Sequence, residues 1–226
     1  MNMAKNKRTL MLGGGLVVAA AAAVYALLIR PWHLRWGADE GEVDLTLPGD
    51  DLVPTPRLNA THAVTIQASP SEVWSWLVQI GQGRGGFYSY DWIENMMGLD
   101  IHTTNRILNH HQRLEVGDLI PLASDGFALP VAIVDPGKVL VLHGDTRIDP
   151  QETIPKLNPG DYLSVNWGFY LFEQDNGSTR LVERWRADWN PSFQNTFFYR
   201  LFLEPGAFVM ERKMLLGIKH RAENMA

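Results

Sequence analysis

Glu183 is the residue in this sequence whose setting most plainly suggests chemistry. Along Leu181–Trp189, every second residue is apolar except this one: Leu181, Trp185, Ala187 and Trp189 share its face, while Arg180, Val182, Arg184 and Arg186 take the other. A carboxylate on an apolar face is costly to bury unless it is paired. Two readings follow. Glu183 pairs with an arginine or tyrosine across a sheet, or it faces a ligand and exchanges a proton with it at a raised pKa.

A second group lies at Phe87-Tyr88-Ser89-Tyr90-Asp91-Trp92, with four aromatic rings in six residues. Ordinary core packing explains such a group, because aromatic rings bury large areas. Tyr88, Tyr90 and Trp92 also carry polar atoms, and could line a hollow and bond a ligand there. Trp167 and Trp185, on the apolar faces of two neighbouring strands, join Glu183 in the candidate ligand-binding set. His143 ends a strand where it could reach a cavity mouth.

Other chemistry is poorly supported. The absence of cysteine excludes disulfides, thiolate metal sites and thiol nucleophiles. The histidines show neither an H-E-x-x-H pattern nor helical i, i+4 spacing, so spacing indicates no metal site and no cofactor. Gly81-Gln82-Gly83-Arg84-Gly85-Gly86 matches G-x-G-x-x-G in form only. It follows a helix, whereas a pyrophosphate loop lies between a strand and a helix. It reads as a flexible bend with Arg84 exposed at its tip. No G-x-S-x-G or Ser/His/Asp set emerges, and no residue is assigned as catalytic.

The elements that would position these residues form an α+β series. Alternation over Thr61–Ala68 predicts a strand. Ser69-Pro70-Ser71-Glu72 is a capping box opening a helix over 70–80, and a second helix covers Tyr90–Met97, closed by Gly98. Strands are predicted at Asp118–Leu122, Ala128–Val134, Val139–His143, Leu163–Leu171 and Arg180–Trp189, with a long loop over 144–161. A helix begins at about Pro205, with Phe208, Met210, Met214, Leu215 and Ile218 as its apolar stripe. An antiparallel sheet covering that helix must curve, and a curved sheet closed by a helix can leave an apolar hollow.

The N-terminal part differs from the rest. Leu10–Ile29 is a run of 20 residues without charge, about the length that spans a bilayer's hydrocarbon core. Lys5, Lys7 and Arg8 precede it; Arg30, Trp32, Arg35 and Trp36 follow. This predicts a single-pass membrane anchor (residues 1–36, span 10–29). The small excess of positive charge before the span orients the domain away from the cytoplasm. Residues 37–59, with three prolines and three glycines, read as an extended linker, and 60–222 as one domain. Of the 226 residues, 20 are basic and 25 acidic. The first 36 hold five basic and no acidic side chains, which leaves 15 basic against 25 acidic beyond them. So acidic a domain is poorly suited to nucleic acid.

The segment Ala68-Ser69-Pro70-Ser71-Glu72-Val73-Trp74-Ser75-Trp76-Leu77-Val78-Gln79-Ile80-Gly81 resembles the SRPBCC (START-like, polyketide cyclase/dehydrase-type) superfamily. Its continuation through Gln82–Asn95 and the tail Glu211–Lys219 are similar to a bacterial branch of it. The resemblance implies a helix-grip fold, with an antiparallel sheet wrapped around a long C-terminal helix and a hydrophobic pocket between them. It also implies a partner of the lipid, sterol, polyketide or hormone class. The expectation is a membrane-tethered binding or carrier module for a hydrophobic small molecule or lipid. The alternatives are a cyclase or dehydratase using Glu183, a tyrosine or His143 as acid and base, and an interaction domain without a pocket. Oligomeric state is not legible.

Overall fold

The computed structural model describes residues 20, 23–148, 153–154 and 160–224. It divides into two compact units, Met1–Leu34 and Arg35–Ala226. In the first, the chain is helical over Tyr25–Ile29 and Arg30–His33, with Leu27 and Leu28 exposed. Most of the predicted span lies outside the described residues. Among those residues, no helix is long and apolar enough to cross a membrane.

The second unit opens with α1 (Glu40–Asp44) and then β1 (Leu58–Ile66), α2 (Pro70–Leu77) and α3 (Asp91–Met96). Five strands follow: β2 (Leu119–Pro121), β3 (Ala128–Asp135), β4 (Val139–Asp145), β5 (Leu163–Glu173) and β6 (Thr179–Trp189). The chain then enters α4 (Phe193–Phe198), passes through a π-helical turn at Tyr199–Leu203, and ends in α5 (Glu204–Glu223). The strands form one antiparallel sheet in the order β1-β6-β5-β4-β3-β2. This is the α+β, helix-grip arrangement expected from the sequence.

Local chemistry explains most boundaries. The Ser69 side chain accepts from the Glu72 amide, and the Glu72 carboxylate accepts from the Ser69 amide, which completes the capping box of α2. Gly98 closes α3 at a φ of 83°, a left-handed conformation that glycine adopts without steric cost. Asp175-Asn176-Gly177 turns β5 into β6. The concave face of the sheet packs Val64, Ile66, Leu140, Leu142, Phe169 and Leu181 against Met214, Leu215 and Ile218 of α5. Gly217 allows α5 to approach closely, since a Cβ there would lie 2.3 Å from the Tyr88 carbonyl oxygen.

Three sequence expectations change. The predicted linker, residues 37–59, is not extended throughout: it holds α1, and its last two residues, Leu58 and Asn59, open β1. Asp39 caps α1, Leu47 is buried on the convex face of the sheet with Ala63, Val141, Tyr170 and Val182, Val53 is buried too, and Tyr170 donates to the Pro48 carbonyl. Arginines on the outward face of β6 hold this segment down. Arg184, 1% exposed, bonds the carbonyls of Glu42, Val43 and Leu45, the Asp50 carboxylate and Thr61, while Arg180 chelates Glu42. The final helix begins at Glu204, as expected, but it is preceded by a helix not expected from the sequence, α4, which Ser192 caps by accepting from the Asn195 amide. Finally, Arg84 is turned inward rather than exposed, donating to the carbonyls of Ile80 and Val78.

Candidate functional site

A hollow of about 460 Å³ lies between the concave face of the sheet and α4–α5, within the usual size of a small-molecule site. Its walls are apolar. Val165 and Trp167 of β5 and Trp185 and Ala187 of β6 form one side; Ala207, Met210 and Met214 of α5 form the other. Phe87, Leu99, Leu122 and Phe127 contribute from the segments between strands. Met97 and Phe198 line the hollow yet remain exposed, which places its mouth beside them. Exposed rings of α4 and the π-helical turn, Phe193, Phe197 and Phe202, lead in successive contacts to Phe198, and α3 carries the exposed Trp92 and Met96.

Among the described residues, no lysine, arginine or histidine lines the hollow. Its polar contributors are Ser89, Glu94, Glu211, Tyr199 and the indoles of Trp167 and Trp185. Glu94 accepts from the Ser89 hydroxyl through Oε1, while its buried Oε2 has no hydrogen-bond partner among the described residues. Burial pushes the Glu94 carboxyl above the usual carboxylate range, the Ser89 hydrogen bond pulls it back, and the nearby Asp91 charge adds to the rise. The buried Trp185 Nε1 likewise has no partner.

Glu183 lies behind this wall and is fully buried. Its strand alternation is as expected, but its partners are neither arginine nor tyrosine. Antiparallel register sets His62 of β1 directly opposite, with Nδ1 3.0 Å from Glu183 Oε2, and the Trp167 indole donates to Oε1 at 2.6 Å. From α5, Glu211 brings an oxygen to 3.4 Å from the same Nδ1. Glu211 is 7% exposed and lines the hollow. Burial, and then the charge of Glu183, raise its carboxyl well above the ordinary range.

Of the seven candidate residues, Trp167 and Trp185 line the hollow, and Glu183 reaches it through Trp167. The other four do not line it. Tyr88 points into the packing between α2 and α5. There its hydroxyl donates to the Trp76 carbonyl and accepts from Gln79, and burial drives its pKa up to about 12. Tyr90 precedes α3, with the Lys213 ammonium over its ring. Trp92 is exposed on α3. His143 is on β4, its pKa lowered by burial. The sequence reading passed over Glu94, His62 and Glu211. Glu94 follows the aromatic group by two residues, and Glu211 falls on the inward stripe of α5 between Phe208 and Met214, so both had a periodicity signal. His62 shares its strand face with the buried Val64 and Ile66, a position that does not name its partner.

No family model matches the chain, and neither does any curated protein. The chain is similar to a number of solved structures, three of which follow. Hypothetical protein jhp0584 from Helicobacter pylori is 13% identical, with 79% of this chain and 95% of that chain covered and a TM-score of 0.46. The Aha1 dimer from Colwellia psychrerythraea is 18% identical, covers 73% and 96%, and scores 0.37. The di-domain ARO/CYC StfQ from the steffimycin biosynthetic pathway is 13% identical, covers 78% and 54%, and scores 0.41. These are likenesses of fold.

Proposed function

We propose that this chain binds a neutral, apolar small molecule or lipid carrying a hydroxyl or carbonyl group, and does so at a membrane. The observation that carries the reading is the hollow itself, about 460 Å³ with almost wholly apolar walls. Transfer of apolar surface from water into such a space is favourable by about 25 cal/mol per Å². The absence of basic side chains among the described lining residues disfavours a carboxylate or phosphate inside, where no countercharge would repay desolvation. Glu94 Oε2 and Trp185 Nε1 are buried polar atoms that a ligand's hydroxyl or carbonyl would satisfy.

Two features favour the membrane. The uncharged run Leu10–Ile29 has the length of a span, and the exposed Met97 and Phe198 at the mouth, with the Phe193, Phe197 and Phe202 rings that continue from Phe198, offer an apolar surface that lipid would cover. A ligand that partitions into lipid would then be concentrated beside the mouth.

Native mass spectrometry of the full chain released from mild detergent tests this reading. The expected result is a bound neutral molecule, lost when Ala207→Phe fills the hollow. A chain that carries nothing and takes up no neutral apolar compound would refute it.

A further inference from the structure

We propose that His62, Glu183 and Glu211 form a binding site for one first-row divalent cation, zinc by its geometry, with an open coordination position toward the hollow. The proposal is independent of which organic molecule the hollow accepts.

The three side chains come from three elements: β1, β6 and α5. The β1–β6 register holds His62 and Glu183 opposite one another, and α5 brings Glu211 across the concave face. All three are buried, at 2%, 0% and 7% exposure. One ligand atom from each lies within 4.8 Å of the others. The separations from His62 Nδ1, 3.0 Å to Glu183 and 3.4 Å to Glu211, bracket the spacing of about 3.3 Å that tetrahedral bonds of 2.0–2.1 Å place between neighbouring ligand atoms.

Hydrogen bonding alone fits this arrangement less well. A neutral imidazole offers at most one proton at Nδ1, and here two carboxylate oxygens converge on that atom. One proton cannot lie on the line to both, whereas a cation at the centre takes a lone pair from each of the three. Charge points the same way. Two carboxylates bound to a 2+ ion form a neutral unit, which can be buried beside an apolar hollow; without the ion, one of the two has to hold a proton to escape that cost. The surroundings also suit a ligand set. The Trp167 indole donates to Glu183 Oε1, which fixes the carboxylate while leaving Oε2 directed at His62, as outer partners do in metal sites. Imidazole with carboxylates is a donor set that suits zinc and its first-row neighbours. Because Glu211 also lines the hollow, a fourth ligand can come from that side, such as water or the oxygen of a bound molecule. Three protein ligands with one open position is the pattern of zinc sites that activate a ligand rather than hold a fold together. Linear spacing could not reveal the site, since its members lie 121 and 28 residues apart.

The test is titration of chelator-treated, dialysed full chain with zinc alone, followed by calorimetry, and with cobalt, followed by visible absorption. The proposal expects one equivalent of zinc and the intense d–d bands of four-coordinate cobalt. Glu211→Gln and His62→Gln should abolish saturable binding, and Trp167→Phe, which removes the outer donor, should weaken it about tenfold. Should those variants fail to fold, X-ray absorption of the zinc-loaded wild type still decides, the expected shell being nitrogen and oxygen ligands near 2.0 Å with one imidazole. No saturable zinc binding by the wild type would overturn the proposal and leave a proton-sharing hydrogen-bond trio. So would equal binding by wild type and both folded ligand variants, because the ion would then sit elsewhere.

Discussion

Tyr88 shows how one side chain can stabilise the site without touching it. It adopts a φ of 59°, unusual for an aromatic residue, and its hydroxyl links Gln79 to the Trp76 carbonyl in a buried position. Tyr88→Phe removes the hydroxyl's donation to the Trp76 carbonyl and one of the two bonds that Gln79 Nε2 donates, and is expected to cost about 1–3 kcal/mol in urea unfolding, with binding in the hollow unchanged. Loss of binding at unchanged stability would contradict this placement. Glu94 supports a pH experiment. Its carboxyl titrates above the ordinary 4.5 in the folded chain, chiefly because it is buried. A raised carboxylate pKa means that the folded state holds its proton more tightly than the unfolded state. Stability from this group is therefore complete below about pH 4.5 and declines as the pH rises toward the folded value. Glu94→Gln cannot ionise, so its stability relative to wild type should improve between about pH 4 and pH 7. A constant difference across that range would show that Glu94 is not desolvated. At this scale the sequence was legible in part. Period two marked Glu183 as buried and in need of a partner. The partner's identity was not legible, because β1 register and the approach of α5 bring His62 and Glu211 there.

At the scale of elements, β6 serves both faces of the sheet. Glu183, Trp185 and Ala187 face the hollow side, and Arg180, Arg184 and Arg186 clamp the segment before β1. Arg184→Met leaves Asp50 with Arg186 and the Leu47 amide alone and strips the carbonyls of Glu42, Val43 and Leu45 of their donor, and is expected to cost about 3 kcal/mol and expose residues 37–57 to proteolysis. Unchanged stability would mean that the clamp contributes little. The strands could be read from sequence because alternation and turn residues mark them directly. The 37–57 segment could not, since glycines and prolines interrupt any period and its attachment depends on carbonyls bonded by distant arginines. The helix α4 was missed for a related reason. Its phenylalanines do not form one buried stripe; Phe193, Phe197 and Phe198 are exposed.

At the scale of the whole molecule, those exposed rings acquire a purpose from the hollow. Phe193, Phe197 and Phe202 lead ring to ring to Phe198 at its mouth, and under the proposed function lipid contact there would ease entry of an apolar ligand. The double variant Phe193→Ser/Phe202→Ser is expected to slow transfer of a neutral dye from vesicles into the chain about tenfold, with its equilibrium affinity in detergent unchanged. Equal transfer rates would detach the rim from delivery. A curved sheet closed by a helix was legible from element order, and so was the possibility of a hollow. Its volume was not, because that depends on how far Met210, Met214, Trp167 and Trp185 fill the enclosed space.

The central claim is that this space accepts a neutral apolar molecule, and a fluorescence titration of the full chain with Nile red tests it most directly. Saturable binding of one dye, accompanied by a change in tryptophan emission, is expected in the wild type. With Ala207→Phe the affinity should fall at least about tenfold while the unfolding temperature holds, since about 1.4 kcal/mol of lost contact suffices. Absence of saturable binding, or equal affinity in the filled variant, would contradict the account.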